Sequence, residues 1–277
     1  MNMRRSLALA ASAATMALVL SQPGTWPAGH AAVSRLQVPH VSLAAHVQAA
    51  GPSTISHDGP AVISHYGGVA TSTNWSGYAV SGGTYTYVHG SWNVPTATCA
   101  AGENSQSSTW VGLDGWGSNT VEQLGSTTGC IFGIPTYIPW TEMYPALPVP
   151  LNESMSPGDS MTGSVTSSAG GTSYLLVLVD HTKGWTYRTT ETSSPADEDL
   201  SAEWITELPS CPVFCDSLTD FGSVTFRAAT AVGDGRKGPI SSFAGNTAVD
   251  MSNGTLQAVV GRLSQNGESF TDRWRHA

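Results

Sequence analysis

Charge is what this 277-residue sequence has least of: Asp, Glu, Lys and Arg make up 11% of it, with 20 acids against 11 bases. The net charge of −9 disfavours nucleic acid and anionic membrane as partners, because a phosphate-rich surface needs a cationic one opposite it. No stretch sustains a helical period, which argues against long salt-bridged helices, and no repeat of fixed period points to a propeller. Gly-x-Ser-x-Gly, His-Glu-x-x-His and a Lys-bearing phosphate loop are all missing. Their absence removes the simplest routes to a serine hydrolase, a zinc peptidase and a nucleotide enzyme. Past residue 68 only His89, His181 and His276 remain, and a triad or a two-His metal site would require those few to converge. No metal and no cofactor is expected.

Long apolar runs are also missing, with one exception at the N-terminus. There MNMRRSLALAASAATMALVLSQ sets Arg4 and Arg5 before an uncharged run from Ser6 to Leu20. The run is short for a membrane span and no second one follows, so residues 1–32 read as a secretory signal peptide with small residues near Ala31 and Ala32 at the cut. The chain is expected to be secreted, extracellular and free of the membrane once cleaved. Residues 33–68 are rich in Ala, Ser, Gly and His and offer little core, so they read as a propeptide or disordered linker. Their His40, His46, His57 and His65 gain charge as pH falls through about 6.5. Setting aside Arg4, Arg5, Arg35 and Asp58 leaves 8 basic residues against 19 acidic ones in the rest. An acid-responsive cover and a solvated spacer are both consistent with that contrast.

The four cysteines, Cys99, Cys130, Cys211 and Cys215, are an even number in a chain read as exported, so disulfides are expected over metal ligation. Proximity selects Cys211 with Cys215 and leaves Cys99 for Cys130, one of three possible pairings.

What the sequence does hold is Gly and Pro, 30 and 16 residues, between short strand-like runs. From Asn74 onward these include YTYVHGSWNVP, YIPWTEMYP, SMTGSVTSS, SYLLVLVD, GWTYRTTE, SAEWITEL and GSVTFRAATA. Eleven or more strands in about 200 residues suit an all-β, antiparallel two-sheet β-sandwich of the concanavalin A-like or jelly-roll type, here over residues 69–277. Residues 107–125 stand at its centre: a strand over Trp110 to Leu113, a turn at Asp114 to Gly117, and a return strand carrying Gln123.

With the common catalytic sets excluded, carboxyl groups assisted by amides remain. Glu142, Glu203 and Glu207 each lie beside Trp or Tyr, and Glu203 and Glu207, four apart in a strand, share a face. A dry aromatic setting raises a carboxyl pKa and lets Glu hold or take a proton. Together with Trp75, Trp92, Trp110, Trp140 and Trp204 these carboxyls describe an aromatic groove for a polymer. A glycoside hydrolase using Glu142 and Glu207, or a non-catalytic carbohydrate- or peptide-binding module, fits that description as well.

Four segments in order separate these readings: NWSGYAV from Asn74, SSTWVGLDG from Ser107 with VEQLGS from Val121, PWTEMYP from Pro139, and AEWITEL from Ala202. They resemble the eqolisins, secreted glutamic peptidases, and in particular a bacterial member. The resemblance implies a two-sheet sandwich, polypeptide substrates, a catalytic dyad at Gln123 and Glu207, and substrate-binding positions at Trp75, Trp110, Asp114 and Glu142. It implies an acid-acting endopeptidase, expected to work as a monomer. The chain departs from the fungal pattern at Ile138, where an acidic residue is common, and at Trp116 to Ser118, where a Cys often follows the turn.

Overall fold

The computed structural model describes residues 69–277 apart from 169, 195 and 211–216. The expected signal peptide, the 33–68 segment and the Cys211–Cys215 bridge lie outside the described residues. All described residues fall within the unit Ser42–Ala277.

Gly, Pro, Asn and Ser break the chain into short extended runs, and these form sixteen strands among the described residues. The first eight are β1 (Val69–Ser72), β2 (Trp75–Ser81), β3 (Tyr85–Asn93), β4 (Ser105–Leu113), β5 (Val121–Ile131), β6 (Ile134–Tyr144), β7 (Val149–Pro150) and β8 (Ser160–Ser167). The others are β9 (Ser173–Asp180), β10 (Trp185–Thr192), β11 (Ser201–Glu207), β12 (Ser223–Gly233), β13 (Arg236–Pro239), β14 (Asn246–Ser252), β15 (Leu256–Val260) and β16 (Phe270–Trp274). One 3-10 turn, Ile240–Ser242, is the sole helical element described.

The expected sandwich is present. One sheet runs β10-β9-β8-β3-β12, and the other runs β12-β16-β15-β14-β2-β11-β4-β5-β6-β7. Strand β12 belongs to both: residues 223–226 pair with β16 and residues 227–233 with β3, and the register shifts between Arg227 and Thr230. Ala228 there has a φ of 49°, and a bulge of this kind bends a strand from one sheet into the next. The strand pairings are antiparallel except that β1 runs parallel to β14. The expected Cys99–Cys130 disulfide forms, with Cα atoms 5.7 Å apart, and ties the segment after β3 to the end of β5.

Between the sheets lie Val111, Leu124, Met161, Leu176, Leu178, Phe226, Trp92 and Trp204, all buried. The two tryptophans correct an expectation, because they staple the sheets and do not line a groove. Trp204 Nε1 donates to the His89 carbonyl at 2.8 Å, and Trp92 Nε1 donates to Ser126 Oγ at 2.9 Å. Side chains alternate along a strand, so Trp204 must point away from Glu203 and Glu207, its near neighbours in sequence.

Candidate active site

The register of five strands builds the site. Glu207 pairs with Trp75 on β2 and with Ser108 on β4; Ile205 pairs with Trp110, which pairs with Gly125, which pairs with Trp140 on β6. One rung further, Glu203 pairs with Gly112, Gly112 with Gln123, and Gln123 with Glu142. Directly opposed residues point to the same side of a sheet. Glu207, Trp75, Trp110, Trp140, Gln123, Glu142 and Glu203 therefore share the face turned away from the inter-sheet core.

Two glycines make room for the central indole. A Cβ on Gly125 would lie 2.6 Å from the Trp110 Cβ, and one on Gly112 would lie 3.0 Å from Trp110 Cζ3. Without those methyl groups Trp110 can lie close to the sheet, its Nε1 donating to Glu207 Oε2 at 2.8 Å. Trp75 meets it edge-on, with centroids 5.0 Å apart at 76°. Trp140, Val121 and Ile205 complete this buried cluster, with Trp116 and Tyr144 packed on it.

Glu207 is fully buried. Its other oxygen, Oε1, accepts from Asn74 Nδ2 at 3.2 Å. Burial drives its pKa well above the ordinary value, while Trp110, Trp75 and Asn74 act in the opposite direction by favouring the carboxylate. Gln123 Nε2 donates to Glu142 Oε2 at 2.8 Å. Burial, and next the Glu207 charge, push Glu142 up to about 9 against the effect of Gln123. The three groups are thus linked, Gln123 to Glu142 by a hydrogen bond and Glu142 to Glu207 through the field. Burial also holds Glu203 well above the usual carboxylate range. Among the polar atoms of this face, Trp140 Nε1, Gln123 Oε1 and Glu142 Oε1 are buried without a hydrogen-bond partner. Buried polar groups of this kind are completed by ordered water or by a ligand.

The underside of the same strands is clasped from the far end of the chain. Asp272 accepts from Ser76 Oγ at 3.2 Å and from Thr206 Oγ1 at 2.9 Å, the residues next to Trp75 and Glu207. Burial raises its pKa to about 8.

Of the residues singled out from sequence, Gln123, Glu207, Trp75, Trp110 and Glu142 share one face. Asp114 stands apart. Its two carboxylate oxygens accept the amide N–H groups of Asp199 (2.8 Å) and Leu200 (2.7 Å), so it anchors the chain leading into β11. Its φ of 62° is one that Asp tolerates in a turn. Burial lifts its pKa to about 6. Sequence reasoning left Asn74 and Asp272 without a role. Asn74 had a readable signal, since it directly precedes the Trp that pairs with Glu207. Asp272 had none.

A two-sheet antiparallel sandwich whose buried aromatic face gathers carboxyl groups around an amide places the molecule in the glutamic-peptidase class of hydrolase folds. Residues 73–272 match the Peptidase A4 family, and the chain belongs to that family. Aspergillopepsin-2 of Aspergillus niger is 29% identical over 191 residues, which cover 59% of this chain and 66% of that protein. The chain thus spans just under two thirds of that relative's length. Among solved structures, scytalido-glutamic peptidase bound to a peptide-based transition state analog matches with a TM-score of 0.62 at 23% identity, over 73% of this chain and 98% of that one. Aspergilloglutamic peptidase from Aspergillus niger matches with a TM-score of 0.53 at 28% identity, over 62% and 99%. At such identities the first is a likeness of fold.

Proposed function

We propose that this chain is a secreted, acid-acting glutamic endopeptidase in which Glu207 is the general base and acid and Gln123 the oxyanion donor. Membership of the Peptidase A4 family supports the class, and the peptide-based analog bound by a structural neighbour supports a polypeptide substrate. The observation that carries the residue assignment is the linked set: Gln123 bonded to Glu142 at 2.8 Å, and Glu142 within the field of Glu207.

Glu207 accepts from both Trp110 and Asn74, and these bonds favour its carboxylate form against the burial that raises its pKa. As carboxylate, Glu207 takes a proton from a water molecule while the water oxygen bonds to the scissile carbonyl carbon. The carbonyl oxygen becomes an oxyanion that accepts from Gln123 Nε2. Glu207 then returns the proton to the amine nitrogen as the carbon–nitrogen bond breaks. A neutral amide stabilises the oxyanion without adding a positive charge that would depress the Glu pKa. Activity should follow a bell in pH whose two apparent pKa values belong to the Glu207–Glu142 pair and not to either residue alone.

Purified Glu207→Gln protein tests the reading on a denatured protein and on a polysaccharide in parallel. Proteolysis by the parent chain that disappears in the variant supports it. Proteolysis at the parent rate in the variant would sink the assignment, and hydrolysis of the polysaccharide would point to the two-carboxyl glycosidase chemistry instead. N-terminal sequencing after acid incubation, with and without the Glu207 substitution, locates the mature start and tests whether residues 33–68 are removed by self-cleavage.

A further inference from the structure

The side-chain torsion that orients a glutamine amide is broad and roughly two-fold, so a free Gln123 would present its carbonyl about as readily as its NH2. A carbonyl turned toward a developing oxyanion repels it. A catalytic amide therefore needs a fixed aim, and the neighbours of Gln123 are unequal in supplying one. On the β4 side its partner is Gly112, which has no side chain; a Cβ there would already sit 3.1 Å from the Gln123 Cβ. On the β6 side its partner is Glu142, whose Oε2 accepts from Nε2 at 2.8 Å. Both side chains are buried, where such a bond is little contested by water.

Resting on the dyad reading above, we propose that Glu142 is a positioning residue: it fixes the Gln123 amide with its nitrogen toward β6. An amide NH2 has two donors. With one given to Glu142, the second is free for the oxyanion, and Gln123 Oε1, buried and without a partner, is turned away from Glu142 and can accept from the attacking water. One hydrogen bond thereby sets the direction of both functional atoms. Burial, and next the Glu207 charge, raise the Glu142 pKa to about 9; in the protonated form Oε2 accepts from Gln123 as the carbonyl oxygen and the carboxyl proton sits on Oε1, away from the amide. The acceptor is what matters, and a Gln at position 142 also has one.

The test uses the full chain carrying Glu142→Ala or Glu142→Gln, with Glu207→Gln as the control. Both kcat and KM are measured on one peptide substrate, and the Gln123 side-chain amide protons are followed by nitrogen-15 NMR. Loss of aim in Glu142→Ala should lower kcat by about 10- to 100-fold with KM within about threefold, in line with the cost of misplacing a catalytic group. The two Gln123 amide protons should exchange faster with water in that variant. Glu142→Gln should restore most of kcat and the protection. Should Glu142→Ala fail to fold, Glu142→Leu, of similar volume but without an acceptor, takes its place. Parent kcat in Glu142→Ala, a Glu142→Gln variant as impaired as Glu142→Ala, or unaltered Gln123 amide protons would each overturn the proposal. Parent activity in Glu207→Gln would instead overturn the dyad, and the amide protons would still report whether Glu142 holds Gln123.

Discussion

Strands β8, β9 and β10 alternate along their length between more and less buried positions, whereas β4 and β11 are buried at every residue and β5 at all but its last. The first group forms one side of a sandwich with water on its outer face, where alternation is the expected consequence of a half-buried sheet. The second group is covered on both faces, yet it is about as polar in sequence as the first. Its outer face holds Glu203, Glu207, Gln123 and Trp110, and several of its buried polar atoms lack partners. Near the sheet end, the other buried acids are mostly satisfied: Asp199 accepts from Ser167 Oγ at 2.8 Å and from Tyr174 OH at 2.9 Å. Similar burial thus serves two ends, and hydrogen-bond satisfaction tells them apart. A closed network fixes a loop, and an open one leaves polar atoms for water or a ligand to complete.

The pH dependence of stability sharpens this contrast most. Asp114 follows β4, Glu122 and Glu142 lie on β5 and β6, and Asp272 on β16 reaches β2 and β11; burial raises Asp114, Asp272, Glu142 and Glu122 to about 6, 8, 9 and 11 respectively. A carboxyl whose folded pKa exceeds its unfolded value contributes stability that is fully present below the unfolded pKa and is lost as pH rises through the folded one. Such a group steepens the loss of stability with rising pH across its own window. Tm should therefore be highest near pH 4 and fall steadily through pH 6 and pH 8 in scanning calorimetry. A Tm that rises over that range would show that these acids are ionised in the folded chain.

A smaller effect is expected where the network is closed. Tyr174→Phe leaves one Asp199 oxygen without its donor at a buried site and should cost about 1–3 kcal/mol by denaturant unfolding, with kcat within about twofold of the parent. A large fall in kcat would join that cluster to the chemistry and erase the distinction. The smallest effect belongs to the outward row of β9. Val177→Thr, half-buried on a strand face toward water, should shift stability by no more than about 0.5 kcal/mol and leave turnover unchanged. A clearly larger loss would mean that this face is covered.

The same contrast explains what the sequence made legible. SYLLVLVD alternates cleanly and reads directly as β9, and Gly and Pro punctuation separates most of the other strands. Residues 105–113 and 121–131 carry Ser, Thr, Gly, Glu and Gln on faces that are buried, so hydrophobic pattern gives no sign of their depth. Trp92 and Trp204 look like groove residues until register places them between the sheets. Gln123 and Glu207 were singled out by resemblance, because no local rule reveals that β11 lies beside β4. The groups that brace Glu207 and its strand are more remote still. Asn74 is 133 residues away, and Asp272 reaches Ser76 across 196 residues, contacts that only the assembled sheet defines.

The central claim is that Gln123 and Glu207 act as one unit on this face, and a double-mutant cycle tests it most directly. Measured as kcat/KM on a single peptide substrate, Gln123→Ala should lose on the order of 100- to 1000-fold, the usual cost of an oxyanion donor, and Glu207→Ala should lose more. If the two work together, the double variant falls no more than about tenfold below Glu207→Ala alone. A double variant whose loss equals the product of the two single losses, or a folded single variant at the parent rate, would contradict the account.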